Sequence, residues 1–238
     1  MEGLMAHAGA DKLTREQLGV ILPPEPTDTF KPIGHADLVH QVIEGLSFRH
    51  INVVRDEYAV SEDGMKLFGV MDLEAGMDGA RYSLGIRNAN DKSMRLGLTV
   101  GYRVFVCDNM AFHGDFTPVL AKHSKHFVLA DAIDIGLGRM QRNFDPMRKQ
   151  IEGWRQSQLT DDQAKLVIYR AFVEGDLEAP KHLVRAVHDY YFDPQYPEFQ
   201  PRTIWSLTNA FTTALKTLDP VPQFKATAKL GQFFTALN

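Results

Sequence analysis

The stretch Arg95-Leu96-Gly97-Leu98-Thr99-Val100-Gly101-Tyr102-Arg103-Val104-Phe105-Val106-Cys107 decides the fold class, because its side chains alternate without interruption. Leu96, Leu98, Val100, Tyr102, Val104 and Val106 point one way, and Arg95, Gly97, Thr99, Gly101, Arg103, Phe105 and Cys107 point the other. This two-residue period is that of a β-strand. Residues 80–88, ARYSLGIRN, repeat the second face with Arg81, Ser83, Gly85 and Arg87. The polar connection Ala89-Asn90-Asp91-Lys92-Ser93 suits an antiparallel pair. Small residues bracketed by arginines thus recur on two neighbouring strands. Glycine weakens a strand and marks places where a backbone, helix or ligand approaches closely. Two readings stay open: a helix packed on a glycine floor, or a shallow basic surface whose arginines hold phosphates through charge-assisted hydrogen bonds.

Upstream, INVVRDEYAV and MKLFGVMDL flank Ser61-Glu62-Asp63-Gly64, and the Asp-Gly step predicts a hairpin. His35, Leu38, Val39, Val42, Ile43 and Leu46 recur at helical spacing, with Gly45 expected near the stop. Residues 1–35 read as an arm: LTREQLGVI predicts one short helix, and PPEPTDTFKP is extended because its prolines remove donors. Such an arm wraps its own domain or reaches a neighbouring subunit.

Downstream, Ile133, Leu137, Met140, Phe144, Met147, Ile151 and Trp154 recur at alternating steps of four and three, predicting a long helix with a heptad-like seam. Pro146 predicts a kink, or a restart with Asp145 as N-cap. The seam is read as core, with a self-association surface as the alternative. Thr160-Asp161-Asp162-Gln163 is a capping box. PKHLVRAVHDYY, PRTIWSLTNAFTTALKTL and PQFKATAKLGQFFTAL predict three further helices. The fold class expected is α+β: an antiparallel hairpin sheet in the N-terminal half and a helical C-terminal half. The expected organisation is an arm (1–35), a helix and sheet region (36–127), and a helical region (128–238) continuous with the sheet.

Composition narrows the function classes. Apolar residues make up 44% of the 238 and charged ones 24%, ordinary globular usage that fills a core without disulfides or a structural metal. No apolar run approaches a membrane span, and the start MEGLMAHAGADK has no leader pattern, so a cytoplasmic protein without membrane partners is expected. The lone Cys107 excludes a cysteine-rich zinc ribbon or iron–sulfur cluster. The net charge of −4 conceals an asymmetry: residues 1–80 carry −8, residues 81–155 carry +5 and residues 156–238 carry −1. The basic middle either contacts a polyanion or pairs with the acidic N-terminal third.

His113, Asp115, His123 and His126 could supply a His/carboxylate site for a divalent ion. The competing reading is a turn in which Asn109 and Asp115 bond local backbone. Cys107 could act as a nucleophile beside a histidine, but at a strand end it reads better as a small buried residue. No Walker loop, dinucleotide fingerprint, HExxH, GxSxG or kinase signature is present, so no cofactor is expected. Phe105, Phe112, Phe116 and Phe127 lie near the cations, an arrangement that stacks bases in single-strand binders and that core packing also explains.

RLGLTVGYRVFVCDNMAFHGDF, then KHSKHF and RTIWSLTNAFTTAL, resemble the phage- and plasmid-associated family catalogued as domain of unknown function 932. The resemblance is carried by Val106, Cys107, Asn109, Lys122 and His123, and by Arg202, Trp205, Asn209 and Ala210 of the C-terminal helix. It implies a mobile-element setting and brings no catalytic residues. By fold analogy only, a hairpin sheet followed by a helix also resembles the single-strand annealing recombinases of phages. The expectation is a non-catalytic protein that binds nucleic acid, single-stranded by preference, through Arg81, Arg87, Arg95 and Arg103 with Lys122 and Lys125 at the edge. It would serve as an accessory in recombination or replication. The alternatives are a metal-dependent hydrolase or nuclease using the histidine cluster, and a structural module that self-associates into a homo-oligomer through the helix seam.

Overall fold

A computed structural model describes residues 10–106, 110–112, 119–175, 177, 179–218 and 220–236. The expected class is observed, a sheet in the N-terminal half and helices in the C-terminal half. The chain divides into two compact units, Met1–Tyr102 with Phe116–Asn143, and Arg103–Asp115 with Phe144–Asn238. One of the breaks between the units falls inside a long helix, between Asn143 and Phe144.

The first unit is built on the strands β1 (Ala10–Leu13), β2 (Val53–Ser61), β3 (Lys66–Met77), β4 (Ala80–Ala89) and β5 (Leu96–Val104), hydrogen-bonded in that order. Later in the chain come β6 (Met110–Phe112), in the second unit, and β7 (Val119–Ala121), which pairs antiparallel with the start of β5. The β2–β3 hairpin turns where expected: Gly64 adopts φ +70° and donates its N–H to the Ser61 carbonyl at 2.7 Å. β1 is a strand that the sequence reading missed. It pairs with β2 and leaves only Arg15–Leu18 (α1) helical, behind a capping box of Thr14 and Gln17.

One sheet face meets the helix α2 (His35–Phe48) through His35, which bonds Asn88 of β4, and the long helix α3 (Leu129–Gln156) through Gly136, which faces Leu98. Gly45 is not a helix stop. It sits inside α2, where a Cβ would lie 2.6 Å from Leu137 of α3, so the two helices approach there. The other sheet face is also buried, at Val70, Asp72, Ser83 and Thr99, so β5 is enclosed on both sides along its whole length. Strand alternation here therefore does not mean one wet face.

The second unit is helical: the C-terminal part of α3, then α4 (Asp161–Tyr169), α5 (Val184–Phe192), α6 (Ile204–Leu215) and α7 (Pro220–Thr235). α3 runs through Pro146 as one helix, without a restart at Asp145. Of its seam residues, Ile133, Leu137, Met140, Met147, Ile151 and Trp154 are each at most 2% exposed and Phe144 is half-buried, so within this chain the seam is core. The Thr160–Gln163 capping box forms as expected. α6 is mostly apolar and buried, and its buried polar side chains Thr208, Asn209 and Thr212 return their hydrogen bonds to its own carbonyls. Phe211 of α6 stacks on Phe172 at 5.5 Å and meets Phe234 of α7 edge-on at 5.6 Å.

Candidate nucleic-acid interface

Three segments of the first unit meet at the end of the sheet: the arm at residues 27–33, the β4–β5 connection, and the segment that leads from β7 into α3. The arm wraps its own unit. Phe30 bridges Ser124, Lys31 donates its N–H to the His123 carbonyl at 3.2 Å, and Ile33 exchanges two hydrogen bonds with the Asn90 amide.

Beneath them runs a buried polar chain. His123 Nε2 donates to Asn88 Oδ1 at 2.6 Å, and Asn88 Nδ2 donates to the Ile33 carbonyl and lies 3.0 Å from His35 Nδ1. His35 Nε2 donates to the Gly64 carbonyl at 3.0 Å. The carbonyl accepts only, so neutral His35 carries its proton on Nε2 and Nδ1 accepts from Asn88. Burial pushes the pKa of His35 below the ordinary histidine value. It does the same to His123, with the His35 charge as a smaller contribution. Both rings are therefore neutral at pH 7.

Above this floor opens a cleft of about 440 Å³ lined by Thr29, Phe30, Lys92, Met94, Arg95, Lys122, His123 and two serines. Three of these side chains are cationic and none is a carboxylate. Lys92 adopts φ +66°, rare for a residue with a Cβ, and its ammonium lies 4.9 Å from the centre of the Phe30 ring. Asp91, next in the turn, is held by Lys66 at 3.2 Å and by the Ser93 N–H and hydroxyl, and its pKa is lowered although burial alone would raise it. Lys92, Arg95 and Lys122 are exposed, as is Lys125 one turn on, and among the described residues none of the four is ion-paired.

The structure separates the cations expected to act together. Arg95 lies just before β5 and, with Lys122, lines the cleft, while Lys125 is exposed on the segment that Lys122 begins. Arg81 is half-buried at the far end of β4, opposite Gly76. Arg87 lies across β5: a Cβ at Gly97 would meet its Nε at 2.8 Å, and burial lowers its pKa. The floor at Gly97 thus accommodates a neighbouring arginine. Arg103 is only 5% exposed. Sequence reasoning missed Lys92, Phe30, Asn88 and His35. Asparagine is depleted in strands, so Asn88 at the end of β4 was the available signal for a built polar contact.

Of the proposed metal ligands, His113 and Asp115 lie outside the described residues, as does Cys107. His123 has Nε2 committed to Asn88, and His126 is exposed. Among the described residues no group of three or more potential ligands is placed to hold a metal ion. No described helix is long and apolar enough to cross a membrane. In the second unit, Arg202 donates to the Tyr191 and Phe192 carbonyls at the end of α5 and covers both rings at 5.1 Å, so this part of the C-terminal signature holds helices together.

A model of the protein family described as Domain of unknown function (DUF932) matches residues 36–229. No curated protein and no solved structure matches the chain.

Proposed function

We propose that this chain, which belongs to the family described as Domain of unknown function (DUF932), binds single-stranded nucleic acid without catalysing a reaction on it. The backbone phosphates are held by Lys92, Arg95 and Lys122, with Lys125 extending the contact. The observation that carries this reading is a cleft lined by three cations and no carboxylate in a chain whose net charge is −4. Such a local concentration of positive charge in an acidic protein attracts a polyanion at one place. Contacts of this type are sequence-independent and fix register. Phe30, 9% exposed between Lys92 and His123, supports the cleft wall and is no stacking platform. Arg81, Arg87 and Arg103 are not part of this surface. The phage or plasmid setting, and a role as accessory in recombination or replication, are supported by the family resemblance alone.

The test is fluorescence anisotropy of labelled 15-nucleotide single strands and matched duplexes with the unmodified protein and with Arg95→Glu/Lys122→Glu. The double reversal is expected to abolish binding at moderate salt, while reversal of the exposed Lys225 in the second unit leaves it intact. Equal affinity for the unmodified and doubly reversed proteins overturns the reading.

A further inference from the structure

The three cations of the cleft can only donate hydrogen bonds, yet two atoms of its lining can only accept them. The first is His123 Nδ1. The Ile33 carbonyl accepts from Asn88 Nδ2, which fixes the Asn88 amide and turns its Oδ1 toward His123. His123 Nε2 therefore carries the proton, and the neutral ring keeps a lone pair on Nδ1. Nδ1 has no hydrogen-bond partner among the described residues and is not one of the buried orphaned atoms, so it stays reachable from the cleft that His123 lines.

The second acceptor is Ser93 Oγ. Ser93 is exposed and gives its hydroxyl proton to Asp91 Oδ1 at 2.6 Å. The Asp91 carboxylate, paired with Lys66 at 3.2 Å, accepts only, which fixes the direction of that bond and leaves Ser93 Oγ with lone pairs to offer a ligand. The remaining polar side chains of the lining, Thr29 and Ser124, carry hydroxyls that turn to either role.

Phosphodiester and deoxyribose oxygens within a DNA strand accept and never donate, so a DNA backbone on Lys92, Arg95 and Lys122 leaves both acceptors unmatched. Ribose differs by one donor. Its 2′-hydroxyl sits on the carbon next to the one that bears the 3′-phosphate, so a phosphate on the cations brings a hydroxyl into the same cleft. At about 440 Å³ the cleft lies within the range of small-ligand sites, ~300–1,000 Å³, and admits a sugar together with its phosphate.

We infer that the cleft selects ribose over deoxyribose: its ligand is single-stranded RNA, whose 2′-hydroxyl donates to His123 Nδ1, with Ser93 Oγ as a second acceptor. This deepens the reading of the cationic cleft and rests on it: phosphates supply the affinity, and the 2′-hydroxyl supplies the discrimination.

The test uses the full chain and three labelled 15-mers of a single base, oligo-rU, its 2′-O-methyl form and oligo-dU, at one pH and one salt concentration, so that only the 2′ substituent changes. Fluorescence anisotropy is expected to show oligo-rU bound about fivefold more tightly than the other two, the discrimination that one hydrogen bond supplies. His123→Phe keeps a ring beside Phe30 and removes Nδ1, and it should erase the preference. Ser93→Ala, an exposed substitution, should reduce it while leaving affinity for oligo-dU within about twofold. Affinity for oligo-dU equal to or tighter than that for oligo-rU overturns the inference without any variant, and equality is the result that a water on Nδ1 would give. A preference that survives His123→Phe in a protein with an unchanged melting curve overturns it too. If Arg95→Glu/Lys122→Glu still weakens every strand, only the sugar selection falls. If no strand of either sugar binds, the cationic cleft falls first.

Discussion

His123 Nε2 donates to Asn88 Oδ1 at 2.6 Å, and this contact fixes the floor of the cationic cleft to the sheet. Asn88 also bonds His35 Nδ1 and the Ile33 carbonyl, so one strand amide ties the arm, α2 and the segment before α3 together. Asn88→Ala leaves buried donors and acceptors unmatched on several sides. Each orphaned group costs about 1–3 kcal/mol, and the total loss expected from urea unfolding is about 2–4 kcal/mol. A loss under 0.5 kcal/mol, within the usual range for surface substitutions, would show that the chain of hydrogen bonds does not hold the site.

The same histidines make stability pH-dependent. Both fold with a pKa below the ordinary value of 6.5, so the unfolded chain binds more protons than the folded one once the pH drops under that value. Their contribution is complete above 6.5 and is lost as pH falls from there toward the folded-state values. The carboxylates Asp63, Asp91 and Asp145, whose pKa values are lowered from 3.8, lose theirs at lower pH. The urea midpoint is expected to decline between pH 7 and 5, and to decline less steeply in His35→Gln. A midpoint that stays flat across that window in the unmodified protein would contradict the assignment of buried neutral rings.

Two glycines of α3 should respond oppositely to alanine. A Cβ at Gly136 would overlap Val119 Cγ2, and a valine has little freedom to move aside. Gly136→Ala is expected to destabilise by about 1–3 kcal/mol. Gly153 has nothing within 4 Å of such a Cβ, so Gly153→Ala should stabilise by about 0.5–1 kcal/mol through helix propensity. Thermal melts of the two variants check the pair, and equal shifts would mean that α3 does not meet β7 as described.

Lys92 offers a separation of stability from binding. Its left-handed backbone costs of order 1 kcal/mol, which glycine does not incur. Lys92→Gly should be as stable as the unmodified protein or more so, while binding single strands less tightly because a cation leaves the cleft. A variant that binds equally well would remove Lys92 from the interface.

Much of the fold was legible, and the reasons are local. The alternation from Leu96 to Val104, the Asp63-Gly64 turn and the Thr160 to Gln163 capping box each encode their element within a few residues. β1 was hidden because a four-residue edge strand carries too little pattern, and its identity depends on pairing with Tyr58 to Ser61. Pro146 left a kink and a restart at Asp145 both open in the sequence, and α3 passes through it without a restart. The site was legible only in part. Arg95, Lys122 and Lys125 are exposed as the sequence reading required, whereas the fates of Arg87 and Arg103 depend on what covers each face of β5, which alternation cannot reveal. Lys92 and Phe30, 62 positions apart, meet because Ile33 is fixed to Asn90, a tertiary contact with no signal in either segment.

The central claim is that phosphates sit in the Lys92–Arg95–Lys122 cleft, and the salt dependence of single-strand binding tests it most directly. Three phosphate contacts on a single strand correspond to a slope of about −2 in log affinity against log salt. The unmodified protein is expected to show that slope, and Arg95→Glu/Lys122→Glu, which keeps Lys92, to show weaker binding with a slope of about −0.7 or shallower. The same affinity and slope in both proteins, or no binding to any strand at 50 mM salt, would contradict it.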